Sequence, residues 1–95
     1  MSTPHVLRIE HPVPSYDTWK AAFDSDPVGR AEGGVRAYRI MRAADDPDYV
    51  LVDLEFDDSA RAQAFLESLH ELWGRVEVMH DPVARVVRVT EDETL

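Results

Sequence analysis

The sequence predicts an α+β fold in which two helices cover one face of a four-stranded antiparallel sheet. Segments with strand and helix periodicity follow one another in the order strand, helix, strand, strand, helix, strand. A turn-rich stretch at residues 44–48 separates the second and third strands, as in a hairpin. The third strand has one uniformly apolar side, so we expect the helices to cover that side of the sheet. This order is typical of the split βαβ, or ferredoxin-like, arrangement.

The first strand and the first helix are separated by a proline-rich link. Residues 5–11 alternate between apolar and polar side chains, which is the period of a strand. The two prolines that follow lack the N–H needed for a sheet, and Ser15 offers an oxygen that can cap a helix starting near Tyr16. The helix should end at residues 24–27, because a residue before proline is disfavoured in a helix. Its apolar stripe comprises Tyr16, Trp19, Ala22 and Phe23.

The second and third strands form the centre of the prediction. Gly33 and Gly34 give the backbone freedom to turn into a strand over residues 35–42. The third strand covers residues 49–56. Its apolar side, together with two residues of the first strand, should face the helices: Leu7, Ile9, Val50, Val52, Leu54 and Phe56.

The second helix is predicted from its caps and its long apolar stripe. Residues 57–59 supply candidates for the N-cap, and Gly74 is placed to adopt a left-handed conformation after the last turn. A fourth strand follows over residues 83–90, and residues 91–95 read as a flexible acidic tail. The stripe of the second helix comprises Ala62, Phe65, Leu66, Leu69, Trp73 and Val76.

The opposite side of the sheet is left open by this arrangement. By elimination it carries Val6, Arg8, Glu10, Tyr49, Leu51, Asp53 and Glu55. Arginines of the flanking strands lie at offsets that put some of them beside these carboxylates: Arg36, Arg39, Arg85 and Arg88. Burying the apolar members of this side would stabilise the protein, so we expect a second copy of the chain to cover it in a homodimer. The alternative is a monomer whose open side is solvated.

Four segments carry a resemblance to a known superfamily. The stretches HPVPSYDTWKAAFDSD, GVRAYRIMR, DDPDYVLVDLEFDD and AQAFLESLHELWGRV resemble the dimeric α+β barrel proteins over nearly the whole chain. The resemblance implies two sheets packed face to face around a barrel, with a pocket between each sheet and its helices or at the barrel mouth. It also implies a choice of functions, because the superfamily includes cofactor-free antibiotic-biosynthesis monooxygenases, polyketide cyclases, haem-degrading enzymes and stress-related proteins.

Length and composition exclude several classes of function. The 95 residues are enough for one domain, over residues 1–95. The formal net charge of −9 would repel nucleic acid, and no apolar run is long enough to span a bilayer. The absence of cysteine excludes disulfides and thiolate chemistry and is ordinary for a cytoplasmic protein. No motif predicts a metal or another cofactor.

Three residues are candidates for moving or stabilising charge during catalysis. His11 lies at the end of the first strand near the expected pocket mouth, where a neutral imidazole can act as a base. His70 lies on the flank of the apolar stripe of the second helix. Arg8 is the candidate cation for a substrate anion. The alternative for both histidines is a structural role, in capping or at a half-exposed surface.

Four further residues are candidates for binding a substrate. Trp73 and Tyr38 would hold aromatic rings, and Asp53 and Glu55 would become proton carriers or ligand contacts if a dimer removed them from water. The alternatives are core packing for the aromatic pair and a structural ion-pair network for the carboxylates.

Two functions of different classes follow, with a weaker third. The first is an enzyme resembling the cofactor-free monooxygenases or cyclases, acting on a small aromatic or polyketide-like substrate. The second is a noncatalytic dimeric module that binds a small molecule or serves in assembly, which the lack of a sharp catalytic motif favours. The third, haem binding or degradation, is supported only by the region of Trp73 and His80.

Overall fold

Six elements form an antiparallel sheet and two helices in the computed structural model, which describes residues 4–74 and 82–95. The sheet order is β2-β3-β1-β4, and every neighbouring pair is antiparallel. The predicted ferredoxin-like arrangement is therefore confirmed. The elements are β1 (His5–Pro12), α1 (Tyr16–Asp24), β2 (Ala37–Ala43), β3 (Asp46–Phe56), α2 (Ser59–Trp73) and β4 (Val83–Arg88).

Both helices begin at the caps that the sequence predicts. The side chain of Ser15 accepts a hydrogen bond from the backbone N–H of Thr18 at 3.5 Å. Asp58 accepts one from the backbone N–H of Arg61 at 2.8 Å. A capping oxygen satisfies one of the free N–H groups of the first turn, so each cap fixes where its helix starts.

The helices cover the side of the sheet that carries the apolar alternation of β3. This helix-covered face includes the buried residues Leu7, Ile9, Val50, Val52, Leu54 and Phe56. Trp19 of α1 and Phe65 of α2 pack against it and are also buried. The burial of these residues confirms which side of the sheet faces the core. The prediction succeeded because alternate residues of a strand point to opposite faces.

Four local predictions differ from the structure. β2 runs from Ala37 to Ala43 rather than over residues 35–42. The turn between β2 and β3 is shorter than residues 44–48, since β3 already begins at Asp46 and a register shift occurs at Arg42 and Ala43. Gly74 is not left-handed: its φ is −71° and its N–H donates to the carbonyl of His70, so it continues the helical bonding pattern. β4 ends at Arg88 rather than at residue 90.

The link between α1 and β2 turns through residues with positive φ. Asp26, Gly29 and Gly34 have φ values of 53°, 80° and 94°. The freedom predicted for the glycine pair is used at Gly34, whereas Gly33 allows a close approach to the Phe65 ring, since a Cβ there would lie 2.5 Å from a ring atom. The backbone N–H of Gly33 donates to the carbonyl of Gly29 at 2.9 Å, which helps to hold this link in place.

The sheet register assigns the arginines to two different faces. We call the uncovered side the open face; its described members are Val6, Arg8, Glu10, Ala37, Arg39, Met41, Tyr49, Leu51, Asp53, Glu55, Val83, Arg85 and Val87. Arg39 lies opposite Asp53 on this face, as expected. Arg88, by contrast, lies opposite His5 on the helix-covered face. Arg36 precedes β2 and forms an ion pair with Asp57 at 2.7 Å.

Candidate functional site

A cavity of about 280 Å³ lies between the helix-covered face and the two helices. Its sheet wall is formed by Ile9, Val52 and Leu54, and its helix walls include Trp19, Phe23, Phe65, Leu69 and Trp73. The lining is mainly apolar and aromatic. Binding sites for small molecules usually have this character, with a few placed polar groups that orient the ligand.

His11 is a buried polar group on this wall. It is 1% exposed, and its Nδ1 lies 3.2 Å from the carbonyl oxygen of Pro12. A carbonyl only accepts, so this contact places the proton on Nδ1 and leaves Nε2 with a lone pair. Nε2 is buried and has no hydrogen-bond partner among the described residues. Burial lowers the pKa of His11 below the ordinary histidine value. The hydrogen bond to Pro12 raises this pKa, but its effect is smaller than that of burial. The ring is therefore neutral at physiological pH.

Aromatic rings continue from His11 along α1. The centroid of the His11 ring lies 6.1 Å from that of Trp19, and Trp19 stacks on Phe23 at 5.2 Å with an interplanar angle of 28°. We call the sequence His11, Trp19, Phe23 the aromatic row. Trp19 and Phe23 recur at the helical spacing that the sequence predicted, whereas His11 belongs to β1 and joins them through its position beside Trp19. The row offers apolar aromatic surface to a ligand, although its rings do not share one plane: the His11 and Trp19 rings are inclined by 58°.

Trp73 and Tyr38, the two predicted ring-binding residues, differ in position. Trp73 lies on the cavity wall, at the end of α2. Tyr38 is 51% exposed and packs edge-on against the outer side of Phe23 at 5.2 Å, so it supports the aromatic row without lining the cavity.

The structure does not bring the predicted charged residues to this cavity. His70 is exposed, and its ring lies edge-on to Trp73 at 5.5 Å without joining the lining. Arg8, Asp53 and Glu55 lie on the open face, on the other side of the sheet from His11. His11 and Arg8 are an odd number of residues apart on one strand, and alternation therefore sends their side chains in opposite directions.

The open face holds its own polar network. Arg8 donates to both carboxylate oxygens of Asp53 at 2.7 Å, and this pairing raises the pKa of Arg8. The hydroxyl of Tyr49 donates to Glu10 at 2.9 Å, which raises the pKa of Tyr49. Leu51 lies between these pairs on β3, and Val83, which is 53% exposed, lies beside Glu10 on the edge strand β4.

Arg30 and Asp26 are cavity residues that the sequence did not single out. Both belong to the link between α1 and β2 and lie at the rim of the cavity. The guanidinium of Arg30 lies over the Phe23 ring, 4.0 Å from its centroid. The only signal in the sequence is the spacing of four between an acid and a base, which is too common to indicate a site.

Metal-ligand clusters and membrane-crossing helices were both sought in the described part of the chain. Within residues 4–74 and 82–95, no group of three or more His, Asp or Glu side chains is placed to hold a metal ion. No helix in the same residues is long and apolar enough to cross a membrane. Val76 of the predicted α2 stripe and the pair of His80 and Asp81 lie outside the described residues.

The order of the elements and the antiparallel sheet with both helices on one face define a ferredoxin-like α+β protein. Solved structures share this fold over nearly their whole length. A protein of unknown function from Nitrosomonas europaea matches with a TM-score of 0.65 and 20% identity, covering 99% of this chain and 96% of the other. A protein from the same organism, provisionally named an antibiotic biosynthesis monooxygenase, matches with a TM-score of 0.62 and 16% identity, covering 95% and 93%.

A third structure bears on assembly. A dimeric ferredoxin-like protein from an uncultured marine organism matches with a TM-score of 0.66 and 14% identity, covering 98% of this chain and 100% of the other. These likenesses confirm the ferredoxin-like fold of the single chain. No family model matches the sequence. No curated protein matches it either.

Proposed function

We propose that the protein is a homodimer whose cavities each bind a small hydroxyl-bearing aromatic ligand, and that it acts on this ligand as a monooxygenase- or cyclase-like enzyme without a cofactor. The observation that carries the proposal is the mainly apolar, aromatic cavity that His11 lines. Nε2 of His11 has no partner among the described residues but is itself buried, so a ligand hydroxyl reaches it only when neighbouring side chains shift. An unpaired buried acceptor costs about 1–3 kcal/mol, and a ligand hydroxyl donating to it would recover that loss.

The chemistry proposed for His11 is proton acceptance. A neutral imidazole in an apolar wall can take the proton of a phenol or enol onto Nε2, while the Nδ1–H bond to Pro12 fixes the tautomer. The resulting ligand anion is electron-rich. In the monooxygenase reaction it would react with O₂ so that one oxygen atom becomes a ring carbonyl and the other leaves as water, the ring supplying the electrons and hydrogen. A cyclase would use the same base to form an enolate for carbon–carbon bond formation.

The cavity volume favours a small ligand. About 280 Å³ lies near the lower end of the range of ligand sites, about 300–1,000 Å³. One or two fused rings suit this volume better than a haem macrocycle does. The haem hypothesis also depended on His80, outside the described residues, and it stays an untested prediction.

The homodimer is supported by the composition of the open face and by the dimeric relatives in fold. Leu51, Val6 and Val87 are half-buried in the single chain and would be removed from water by a second copy. Arg39 and Arg85 lie on the same face as Glu55 and Glu10, so two copies can pair opposite charges across the contact. Two of the solved structures that share the fold are described as dimeric.

Ligand binding is tested by calorimetric titration with 2-naphthol and with 2-methoxynaphthalene, which lacks the hydroxyl donor. We expect the protein to prefer 2-naphthol by about tenfold, and His11→Phe to remove this preference because it removes the acceptor. His70→Phe makes the same change at an exposed histidine and should leave the preference intact. Loss of the preference in the His70 variant alone, or equal binding of both compounds by the unchanged protein, would contradict the role of His11.

Catalysis is tested separately from binding. An electron-rich dihydroxynaphthalene is supplied to the protein in an oxygen electrode, and O₂ consumption is compared with that of the His11→Phe variant. Consumption that depends on His11 supports the oxygenase form. Saturable binding with neither O₂ consumption nor a cyclised product supports the alternative, a noncatalytic binding module, which the mainly apolar wall also accommodates.

A further inference from the structure

A single cation, Arg30, lies on the described part of the cavity wall, against Phe23, the member of the aromatic row that does not contact His11. Arg30 belongs to the link between α1 and β2, and its side chain is about one-fifth exposed. Its guanidinium rests on the Phe23 ring at 4.0 Å and lies 5.2 Å from the Tyr38 centroid. The aromatic row thus runs from a neutral base, His11, to a fixed positive charge, Arg30.

The hydrogen bonds of Arg30 leave much of its donor capacity unused. Nη1 donates to the carbonyl of Phe23 at 2.6 Å, which anchors the side chain to the end of α1. Among the described residues the other guanidinium N–H groups have no acceptor at hydrogen-bond distance, since Nε and the nearest Asp26 oxygen are 3.7 Å apart. An arginine presents five donors in a planar fork that suits a carboxylate. Arg30 also lines the cavity, so its remaining N–H groups are the candidate donors for such a partner.

Asp26 holds the link and also forms a long ion pair with Arg30, 3.7 Å from its Nε. Its Oδ1 accepts the backbone N–H of Arg30 at 2.8 Å, and its own backbone has a φ of 53°. Asparagine tolerates positive φ and keeps an acceptor oxygen, so Asp26→Asn removes the charge with little effect on the backbone. The negative charge of Asp26 nevertheless lowers the affinity of Arg30 for any anion that reaches it.

We propose that Arg30 recognises a carboxylate, so that the ligand of this cavity is a hydroxyaryl carboxylic acid lying along the aromatic row, with its hydroxyl at His11 and its carboxylate at Arg30. The inference rests on the proposed function, since it needs a ligand in the cavity. It adds the chemical class of that ligand and a specificity-determining residue. The overall charge of −9 makes the fixed cation necessary, because an anion is otherwise repelled on approach.

The chain contains a matched control for Arg30. Arg42 also stacks on an aromatic ring, Tyr16, at 3.9 Å, and its Nε also donates to a backbone carbonyl, that of Pro47, at 2.8 Å. It is not part of the cavity lining. Arg42→Gln therefore removes the same charge and the same kinds of contact without changing the cavity.

The test compares 6-hydroxy-2-naphthoate with 2-naphthol by calorimetric titration at low salt. We expect the unchanged protein to bind the carboxylate about tenfold more tightly than the neutral compound. Arg30→Gln should abolish this preference, lowering the affinity for the carboxylate by about tenfold while changing the affinity for 2-naphthol less than about twofold. Arg42→Gln should preserve the preference for the carboxylate over 2-naphthol. Asp26→Asn should raise the affinity for the carboxylate without raising the affinity for 2-naphthol. Thermal unfolding of each variant shows whether it is folded.

The outcomes separate this inference from the proposed function. If 2-naphthol binds but the carboxylate shows no advantage, or if Arg30→Gln weakens both compounds equally, the carboxylate inference is overturned and the cavity remains a binding site. If neither compound binds, the proposed function and this inference are overturned together. Equal effects of the two arginine variants on the carboxylate would also overturn the inference, because they would reflect overall charge alone.

Discussion

Arg8 of β1 and Asp53 of β3 form a two-point ion pair across the open face, with both N–O distances at 2.7 Å. The two residues are direct cross-strand partners, and their side chains are 52% and 19% exposed. An exposed pair of this kind typically contributes about 0–1 kcal/mol. Covering the face with a second copy would remove the pair from water and raise the cost of breaking it.

The first prediction concerns the strength of this pair. A double-mutant cycle with Arg8→Gln and Asp53→Asn, measured by urea unfolding at fixed protein concentration, should give a coupling free energy above about 1 kcal/mol. Such a value is expected because a dimer desolvates the pair. A coupling within the range of an exposed pair would argue that water still reaches this face.

The second prediction concerns the dimer itself. Leu51→Glu places a charge in the middle of the open face and should shift the protein toward a monomer, as read from its mass in light scattering at micromolar concentration. Gln63→Glu adds the same charge at an exposed site on α2 and should leave the mass unchanged. A single-chain mass for the unchanged protein, or for both variants alike, would count against the proposed interface.

The third prediction concerns pH. Burial lowers the pKa of His11 in the folded state, so the unfolded state binds more protons below the unperturbed pKa of about 6.5. The free energy of unfolding should therefore change little from this source above that pH and fall as the pH drops from there toward the lower folded-state value.

Urea unfolding at about pH 5.5 and at about pH 7.5 measures the effect. His11→Phe should flatten the difference between the two conditions. If the free energy of unfolding of the His11 variant falls as much between the two pH values as that of the unchanged protein, the pH dependence comes from other groups.

The fourth prediction concerns the close approach of Gly33 to Phe65. A Cβ at Gly33 would lie 2.5 Å and 2.8 Å from two atoms of the Phe65 ring, which is 4% exposed and cannot move freely. Gly33→Ala should therefore lower the free energy of unfolding by about 1–3 kcal/mol, as overpacking does.

Gly74→Ala is the control for this substitution. A Cβ there would meet only backbone atoms at 3.5 Å or more, and φ is negative. It should be neutral or stabilise by up to about 1 kcal/mol. Equal effects of the two alanines in thermal unfolding would show that backbone entropy, not the Phe65 contact, dominates.

The fifth prediction compares the two helix caps. Asp58→Ala removes a 2.8 Å capping bond and a favourable charge at the start of α2, and should cost about 0.5–2 kcal/mol. Ser15→Ala removes a longer bond of 3.5 Å at α1 and should cost less. A larger loss at Ser15 in the same unfolding assay would contradict this ranking.

Local patterns were sufficient for the elements and for the sides they bury. The alternation in β3 predicted the burial of Val50, Val52, Leu54 and Phe56, because side chains of a strand must alternate between faces. The position of His11 near the pocket followed from its place at the end of β1. The same alternation separates His11 from Arg8, although the sequence suggested that both serve one site.

Other features depended on contacts between distant segments. The turn conformation of residues 25–34 has no periodic signal, so Arg30 could not be placed on the cavity rim from sequence. The conformation of Gly74 was predicted wrongly because glycine permits a left-handed residue without requiring one.

The sequence by itself determined the order of the elements, the caps and the apolar side of each strand and helix, because these depend on spacing within a few residues. Only the tertiary structure decided which side chains share the cavity. His11, Phe23, Arg30 and Trp73 come from four different segments, and their meeting depends on how α1, α2 and one irregular link pack on the sheet. Packing of this kind is fixed by shape and volume between segments, which no local period encodes.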